Sequence, residues 1–140
     1  MRHIRAKVVC LFRHQHRILL TEGNDLIKDE KYVIPVGGGI EFGEKSTDAV
    51  RRETFEEIGA EIDNLRLLGI CENMFTSSSA AGHEIVFVYE AEFKDKSFYQ
   101  RENIPGIEAD GEGVIVRWFD EDDILNGSLP FYPDGIIDML

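Results

Sequence analysis

The chain has 140 residues, the length of one typical domain, so we expect residues 1–140 to form a single domain. Hydrophobic residues make up 43% of it, enough to build a core without metals or disulfides, which excludes a wholly disordered protein. The 27 Asp and Glu residues outnumber the 15 Lys and Arg residues, and the formal charge of −12 argues against a surface that binds nucleic-acid phosphates. An enzyme this acidic would need cations in order to act on phosphates.

The cysteines and the N-terminal residues indicate the cellular compartment of the protein. Cys10 and Cys71 have no Cys or His partners at the spacing of a zinc site, so we expect two buried free thiols. The longest apolar run near the N-terminus, Val8 to Phe12, ends at Arg13 and is too short for a signal peptide or a membrane-spanning helix. We therefore expect a cytoplasmic protein without a membrane partner.

The first 40 residues have the pattern of strands and turns. Residues 4–12 and 17–22 are rich in Val, Ile, Leu and Phe and flank a short polar turn, which predicts a hairpin. Residues 24–32 are polar and predict a loop, and residues 32–36 predict a short extended segment that Pro35 excludes from the centre of a sheet. A cluster of glycines follows this segment and comprises Gly37, Gly38, Gly39 and Gly43.

A helix is predicted to begin at Ser46, where the hydrophobic period changes to that of a helix. Its apolar side carries Val50, Thr54 and Ile58. We expect Ser46 or Thr47 to supply the N-cap oxygen and Gly59 to end the helix in a left-handed conformation.

The second half of the chain predicts three further strands, at residues 65–75, 83–93 and 114–119. A polar loop is predicted at residues 100–113, and short helices at residues 120–125 and 133–140. Strands interleaved with helices in this way predict an α/β or α+β fold in which helices pack on a sheet.

Three carboxylates, Glu53, Glu56 and Glu57, fall on one face of the predicted helix, beside its apolar stripe. Arg52 lies four residues before Glu56 and can pair with it, but one guanidinium does not neutralise three carboxylates. Clustered carboxylate oxygens are the ligands that Mg²⁺ takes, usually together with water and substrate phosphates. The alternative is a solvated, charged helix face without a bound ion.

The glycine cluster immediately upstream favours the metal site. Gly37 to Gly43 allows a tight turn and a close approach of the backbone to a ligand. The cluster lacks the Gly-Lys-Ser/Thr ending of a phosphate-binding P-loop and the spaced glycines of a dinucleotide-binding loop. By itself a glycine cluster is weak evidence, and the alternative is an ordinary turn between a strand and a helix.

The combined pattern is Gly38-x5-Glu44-x7-Arg52-Glu53-Thr54-x-Glu56-Glu57-x-Gly59-Ala60. It resembles the signature of the Nudix hydrolases, with a MutT-like arrangement, and departs from it only at the packing positions Thr54 and Ala60. The segments at residues 35–44, 82–87 and 118–120 are also similar to members of that family. The resemblance implies a Nudix-like α/β/α sandwich with a mixed β-sheet between helices. It also implies hydrolysis of the pyrophosphate linkage of a nucleoside diphosphate derivative, such as a nucleoside triphosphate, a sugar nucleotide or a dinucleoside polyphosphate.

The resemblance also assigns roles to residues. It implies that Mg²⁺, or alternatively Mn²⁺, is held by Glu53, Glu56, Glu57 and the backbone carbonyl of Gly38. Arg52 would orient a glutamate, while Glu44 and Gly59 would be structural. The general base would be a motif glutamate or an acid of the loop before Val114, where Glu112 is our first choice over Glu108 and Asp110. The candidates for substrate binding are Gly37, Gly38, Gly39 and Arg5, with Lys7 and Arg101 as further cations and Tyr32, Phe75 and Trp118 as further aromatic side chains.

Alternative functions remain open from the sequence. A non-catalytic nucleotide sensor or protein-binding module with the same fold is the second hypothesis, and an enzyme acting on RNA caps is disfavoured because the chain has no basic stripe. Similar proteins that cleave ADP-ribose carry a proline shortly after the motif, whereas this chain has none between Pro35 and Pro105. We expect a small nucleotide as partner and no nucleic acid, and the sequence leaves a homodimer open.

Overall fold

The structure is a computed structural model that describes residues 2–25, 29–77 and 80–140. Within these ranges the chain forms nine strands, two α-helices and two 3-10 helices. The strands are β1 (Ile4–Leu11), β2 (Arg13–His14), β3 (Arg17–Asp25), β4 (Glu30–Ile34), β5 (Val36–Gly39), β6 (Ile62–Ser77), β7 (Ala80–Phe93), β8 (Asn103–Ile107) and β9 (Gly113–Asp120). The helices are α1 (Ser46–Ile58), α2 (Glu121–Leu125) and 3-10 helices at Lys96–Gln100 and Ile136–Met139.

The strands form two sheets. The first has the order β5-β1-β7-β6 and is mixed, because β1 and β7 are parallel while the other neighbours are antiparallel. The second has the order β2-β3-β9-β8, with β4 paired to β3, and is antiparallel throughout. The prediction of a mixed sheet with helices in an α+β fold is confirmed.

Helices cover both sides of the sheets. Because side chains alternate along a strand, Val8 and Cys10 of β1 belong to a core shared with α1. Val9 and Leu11 belong to a second core, which includes Ile124 of α2 and Ile136 of the last 3-10 helix. The arrangement is a sandwich of helix, sheet and helix. No helix of the described ranges is long and apolar enough to cross a membrane.

The hairpin predicted from residues 4–12 and 17–22 is wrong. β1 pairs with β5 and β7, whereas β3 pairs with β2, β4 and β9 in the other sheet. The turn at Gln15 and His16, both with positive φ, joins β2 to the start of β3. The predicted segments meet only beside this turn, where the Leu19 amide donates to the Phe12 carbonyl. Similar apolar runs do not reveal which runs pair, and here β1 takes both its partners from segments far along the chain.

Two predicted loops are shorter than expected. β3 continues to Asp25 and β4 begins at Glu30, so regular pairing extends into the segment 24–32, of which residues 26–28 lie outside the described ranges. The segment 100–113 contains β8, which pairs with β9 at the edge of its sheet. The sequence does not predict β8, because it contains Pro105 and Gly106 and both residue types are rare in strand interiors.

The helix prediction is confirmed except at its N-terminus. Val50, Thr54 and Ile58 are buried, and Gly59 ends α1 with φ +71° while its amide donates to the Phe55 carbonyl. Neither Ser46 nor Thr47 caps the helix, because the N-cap residue is Lys45 and it makes no side-chain capping bond. Ser46 Oγ is instead 2.5 Å from the Tyr89 hydroxyl.

Both cysteines are buried free thiols, as predicted. Burial raises the pKa of Cys10 far above its usual range, and burial also raises that of Cys71. Neither thiol therefore carries charge in the folded protein at neutral pH.

Candidate active site

The candidate site lies where the glycine strand β5 meets α1. Gly37 and Gly38 pair with Val9 and Val8 of β1, so the backbones run side by side. A Cβ atom on Gly37 would lie 2.0 Å from the Val8 carbonyl oxygen, and one on Gly38 would lie 2.2 Å from Glu53 Oε2. Glycine is therefore required at position 37, where the backbone of β1 fills the space, and at Gly38 the space of a side chain is filled by the Glu53 carboxylate.

Arg52 connects the acids of this site. Its Nε and Nη2 donate to the two carboxylate oxygens of Glu44 at 2.8 and 2.9 Å, and its Nη1 donates to Glu53 at 2.9 Å and to Glu56 at 3.1 Å. Nη2 also donates to the Gly39 carbonyl at 3.0 Å. One guanidinium thus ties α1 to the glycine strand and to the loop between them.

Glu44 completes this contact from the loop side. The hydrogen bonds from Arg52, and then the backbone amide of Glu41 at 3.1 Å, lower the pKa of Glu44 to about 2. The same bond raises the pKa of Arg52. The pair stays ionised at any physiological pH, which suits a fixed structural element.

Glu57 differs from the other glutamates because it is buried, with only 8% of its surface exposed. The sequence pattern places it with Glu53 and Glu56 on a polar face, but it turns inward, and its Oε2 accepts the Gly37 amide at 3.2 Å. Burial, and next the charge of Glu108, raise the pKa of Glu57 to about 7. Glu56, in contrast, has 58% of its side chain exposed.

The loop between β8 and β9 brings Glu108 into range of Glu57. Burial and the charge of Asp110 raise the pKa of Glu108, and the charge of Lys7 opposes that shift. Glu108 and Glu112 both lie at the protein surface; the Glu112 amide donates to Asp110, and the Glu112 carbonyl accepts the Glu108 amide. The carboxylate of this loop that raises the pKa of Glu57 is that of Glu108, whereas the sequence analysis favours Glu112.

A family model described as the NUDIX domain matches residues 1–138. The chain belongs to the Nudix hydrolase family. It is 30% identical over 88 residues to the oxidized purine nucleoside triphosphate hydrolase of Danio rerio, a match that covers 63% of this chain and 49% of that protein. The chain thus spans about half the length of this curated relative.

Several solved structures share the fold. The MutT NUDIX hydrolase of Burkholderia pseudomallei superposes with a TM-score of 0.64 at 21% identity, covering 99% of this chain and 95% of that one. The MutT protein of Bacillus halodurans gives 0.62 at 20% identity, covering 91% and 74%. A structure described as an ADP compounds hydrolase gives 0.59 at 16% identity, covering 89% and 63%.

The donor groups of this Nudix site fit a hard divalent cation in their chemistry. Glu53, Glu56 and Glu57 supply carboxylate oxygens, and Arg52 is the cation that contacts two of them directly. Burial and the charges of Glu108 and Glu53 raise the pKa of Glu57, whereas the hydrogen bond from the Gly37 amide and the charge of Lys7 lower it. Within the described ranges no three His, Cys, Asp or Glu side chains converge closely enough to enclose an ion. Glu53 and Glu56 both accept hydrogen bonds from Arg52.

The predicted cations take different positions in this Nudix fold. Arg5 reaches the glycine strand, with its Nη2 3.3 Å from the point where a Gly39 Cβ would lie. Lys7 Nζ is 3.4 Å from Glu84 Oε2. Arg101 lies elsewhere, 4.0 Å over the ring of Phe98 and paired with Asp95.

The predicted aromatic side chains also separate. Trp118 Nε1 donates to the Phe98 carbonyl and the ring contacts Tyr99, which places Trp118 against the core on the α1 side. Tyr32 contacts Tyr132 edge to face. Phe75, on β6, remains partly exposed.

A network of buried hydrogen bonds lies beside the site, and the sequence does not predict it. Asn73 Nδ2 donates to Glu84 at 3.2 Å, and Asn73 Oδ1 accepts the Asp134 amide at 3.2 Å. Asn73 and Glu84 are both buried. The only signal in the sequence is a polar residue within each of two apolar strands, which does not by itself indicate a contact.

Proposed function

We propose that this chain is a divalent-cation-dependent hydrolase that cleaves the pyrophosphate linkage of a small nucleoside diphosphate derivative, with Mg²⁺ or Mn²⁺ as the cation. The observation that supports the proposal is the buried Glu57 carboxylate, which the negative charges of Glu53 and Glu108 repel. Such a cluster of acids is unfavourable unless a cation joins it. Family membership and the nucleotide named for the Danio rerio relative support the same substrate class.

Glu53, Glu56, Glu57 and the Gly38 carbonyl would hold the cation. When bound, it supplies positive charge to the phosphate oxygens and favours ionisation of water. Arg52 orients Glu53 and Glu56, and Glu44 holds Arg52 in place. The backbone of Gly37, Gly38 and Gly39 can approach phosphates closely because no side chains intervene.

Glu108 is our proposed acceptor of the proton from the attacking water. Partial burial and the charge of Asp110 raise the pKa of Glu108. A carboxylate with a raised pKa accepts a proton more readily. Glu112 stays as the alternative. Glu108 and Glu112 lie in the same loop, so each is a matched control for the other.

The first experiment measures phosphate or pyrophosphate release from nucleoside triphosphates, sugar nucleotides, dinucleoside polyphosphates and ADP-ribose. Each is assayed with Mg²⁺, with Mn²⁺ and with EDTA. Glu57→Gln keeps the size of the side chain and an acceptor for the Gly37 amide, and we expect it to lower kcat/KM by about 100-fold or more. Glu102→Gln, at an exposed residue, is the control and is expected to leave turnover unchanged.

Two outcomes would contradict the proposal. Full turnover in Glu57→Gln would remove Glu57 from the cation site. A folded protein that releases no phosphate from any nucleotide with either cation would favour the non-catalytic nucleotide sensor or protein-binding module.

A second experiment compares Glu108→Gln with Glu112→Gln. We expect Glu108→Gln to lower kcat by about 100-fold, the usual size of a general-base effect, with a smaller change in KM. Glu112→Gln should retain most activity, since Glu112 is not among the charges that shift the pKa of Glu57. The opposite ranking would return the role to Glu112.

A further inference from the structure

One side of the mixed sheet is only partly covered by α1. Val8 and Cys10 of β1 share a core with α1 on this side. Ile4 and Ala6 point to the same side, because side chains alternate along a strand, but both are exposed. Lys7, which lies between Ala6 and Val8, points to the other side. The first half of β1 therefore presents apolar side chains that the core of α1 does not include.

The neighbouring strands continue this apolar surface. On β7, Ile85 pairs with Ala6 of β1 and belongs to neither core of the described residues. On β6, Ile70 pairs with Phe87, which packs against the core of α1. Residues that pair directly in a sheet have their side chains on the same side. We call this surface the open face and define it by Ile4, Ala6, Leu67, Ile70, Met74 and Ile85.

The open face is large enough for a stable contact between proteins. Its four large exposed side chains are between 46% and 64% exposed, and they are Ile4, Leu67, Ile70 and Met74. With Ala6 and Ile85 the exposed apolar surface is on the order of 400 Å². A standard interface buries about 800 Å² on each partner, and about two thirds of that area is apolar in homodimers. The open face therefore supplies most of the apolar area that one half of such an interface needs.

The polar residues of the open face can complement each other between two copies. The strand register places Glu72 beside Ile85 and His83 beside Met74. The Glu72 carboxylate can accept a hydrogen bond from an imidazole N–H in either protonation state of His83. Two copies with a formal charge of −12 each repel one another, so they approach most easily through a surface that is mainly apolar.

We propose that the open face binds a second copy of this chain in a symmetric dimer, in which the two mixed sheets pack face to face. A half-turn about an axis that passes between Glu72 and His83 brings Glu72 of each copy opposite His83 of the other copy. Sheets packed in this way lie about 10 Å apart, and their apolar side chains interdigitate. The proposal does not depend on the hydrolase function.

Sedimentation equilibrium of the full chain tests the proposal, at protein concentrations from about 1 µM to about 1 mM. We expect a dimer with a dissociation constant in the micromolar range. Raising NaCl from about 50 mM to about 500 mM should strengthen the dimer, because salt screens the repulsion between the two acidic copies and leaves the apolar contact intact.

Ile70→Lys tests the location of the interface. The substitution enters a symmetric contact twice, so we expect it to weaken dimerisation by about 100-fold or more. Ile115→Lys is the matched control, because Ile115 lies on β9 of the other sheet and is 50% exposed, compared with 52% for Ile70. We expect this control to dimerise like the wild-type protein. Thermal midpoints of both variants show whether each remains folded.

A mixture of two variants tests the contact between copies. Glu72→Lys places an ammonium opposite His83 of the second copy, and His83→Glu places a carboxylate opposite Glu72. Each variant alone should therefore dimerise about tenfold more weakly than the wild-type protein. In an equimolar mixture each introduced charge lies opposite its complement, so a dimer of the two different variants should form about as well as the wild-type dimer. A contact within one chain could not be restored by mixing.

Four results would overturn the proposal. The first is a wild-type protein that stays monomeric at every concentration, and the second is an equal loss of dimer in Ile70→Lys and Ile115→Lys. The third is dissociation of the dimer by NaCl, which would place the contact on charged residues. The fourth is a mixture of Glu72→Lys and His83→Glu that dimerises no better than either variant alone.

Discussion

At the scale of single residues, Arg52 has the contacts that a lysine could not replace. Its guanidinium binds Glu44 through two nitrogens and reaches Glu53, Glu56 and the Gly39 carbonyl with the same group. An ammonium is a point charge without this planar fork. One nitrogen of this fork donates to Glu53, whose carboxylate lies where a Gly38 side chain would be.

We therefore expect Arg52→Lys to lower both the thermal midpoint and turnover, although the charge is conserved. Arg66→Lys is the matched control, because Arg66 pairs with Glu90 on the surface and exposed pairs contribute little. Differential scanning fluorimetry and kcat measurements compare the two variants. A midpoint for Arg52→Lys that falls no further than that for Arg66→Lys would contradict the structural role of the fork.

The sequence predicts where the acidic residues lie along α1, but it does not predict their surroundings. Helical spacing placed Glu53, Glu56 and Glu57 together, and this holds at the backbone level. It could not show that Glu57 is buried, because burial depends on the strand and the loop that pack against α1 from other parts of the chain. It could not select Glu108 from its loop for the same reason.

At the scale of elements, prediction succeeded where local signals define the structure. α1 has an apolar stripe and a C-terminal glycine, both of which act within a few residues, and its extent was predicted closely. β1 and β3 show the opposite case, because strand pairing is set by distant partners. β8 was missed because Pro105 and Gly106 lack strand propensity, although the buried side chain of Ile104 shows that the strand packs on the core.

The end of α1 allows a direct test of one local signal. Gly59 has φ +71°, and a Cβ atom there would meet nothing within 4 Å. Backbone strain is therefore the only penalty for alanine, and we expect Gly59→Ala to lower the free energy of unfolding by about 1–2 kcal/mol.

Urea denaturation measures this effect. Gly113→Ala is the control, because Gly113 also has open space around it but does not have a positive φ. We expect its free energy of unfolding to change by no more than about 0.5 kcal/mol. Equal effects at the two glycines would show that the left-handed conformation does not determine the end of the helix.

At the scale of the whole molecule, the sandwich brings distant segments to one side of the mixed sheet. The amide of Asp134, in the C-terminal segment, binds Asn73 of β6, Asn73 binds Glu84 of β7, and Glu84 pairs with Lys7 of β1. Lys7 is paired with Gly39 in the register of β1 and β5. The C-terminal segment is thereby linked through side chains to the strand that borders the candidate site.

The formal charge of −12 belongs to the whole molecule, and a bound cation would offset part of it. A cation that binds the folded chain at Glu53, Glu56 and Glu57, and does not bind the unfolded chain, raises stability by mass action. At a concentration 100 times its dissociation constant the gain is about 2.7 kcal/mol. We therefore expect Mg²⁺ to raise the thermal midpoint of the wild-type protein relative to EDTA.

Glu57→Gln separates binding at the site from general screening of the acidic surface. The variant keeps an acceptor for the Gly37 amide, so the fold is retained, but it lacks one of the proposed ligands. We expect most of the Mg²⁺-dependent shift to be lost in Glu57→Gln and kept in Glu112→Gln, while NaCl at matched ionic strength gives a smaller shift in all three proteins. Identical Mg²⁺ shifts in the two variants would mean that the cation acts on the surface charge of the whole molecule and that the helix carboxylates do not form its site.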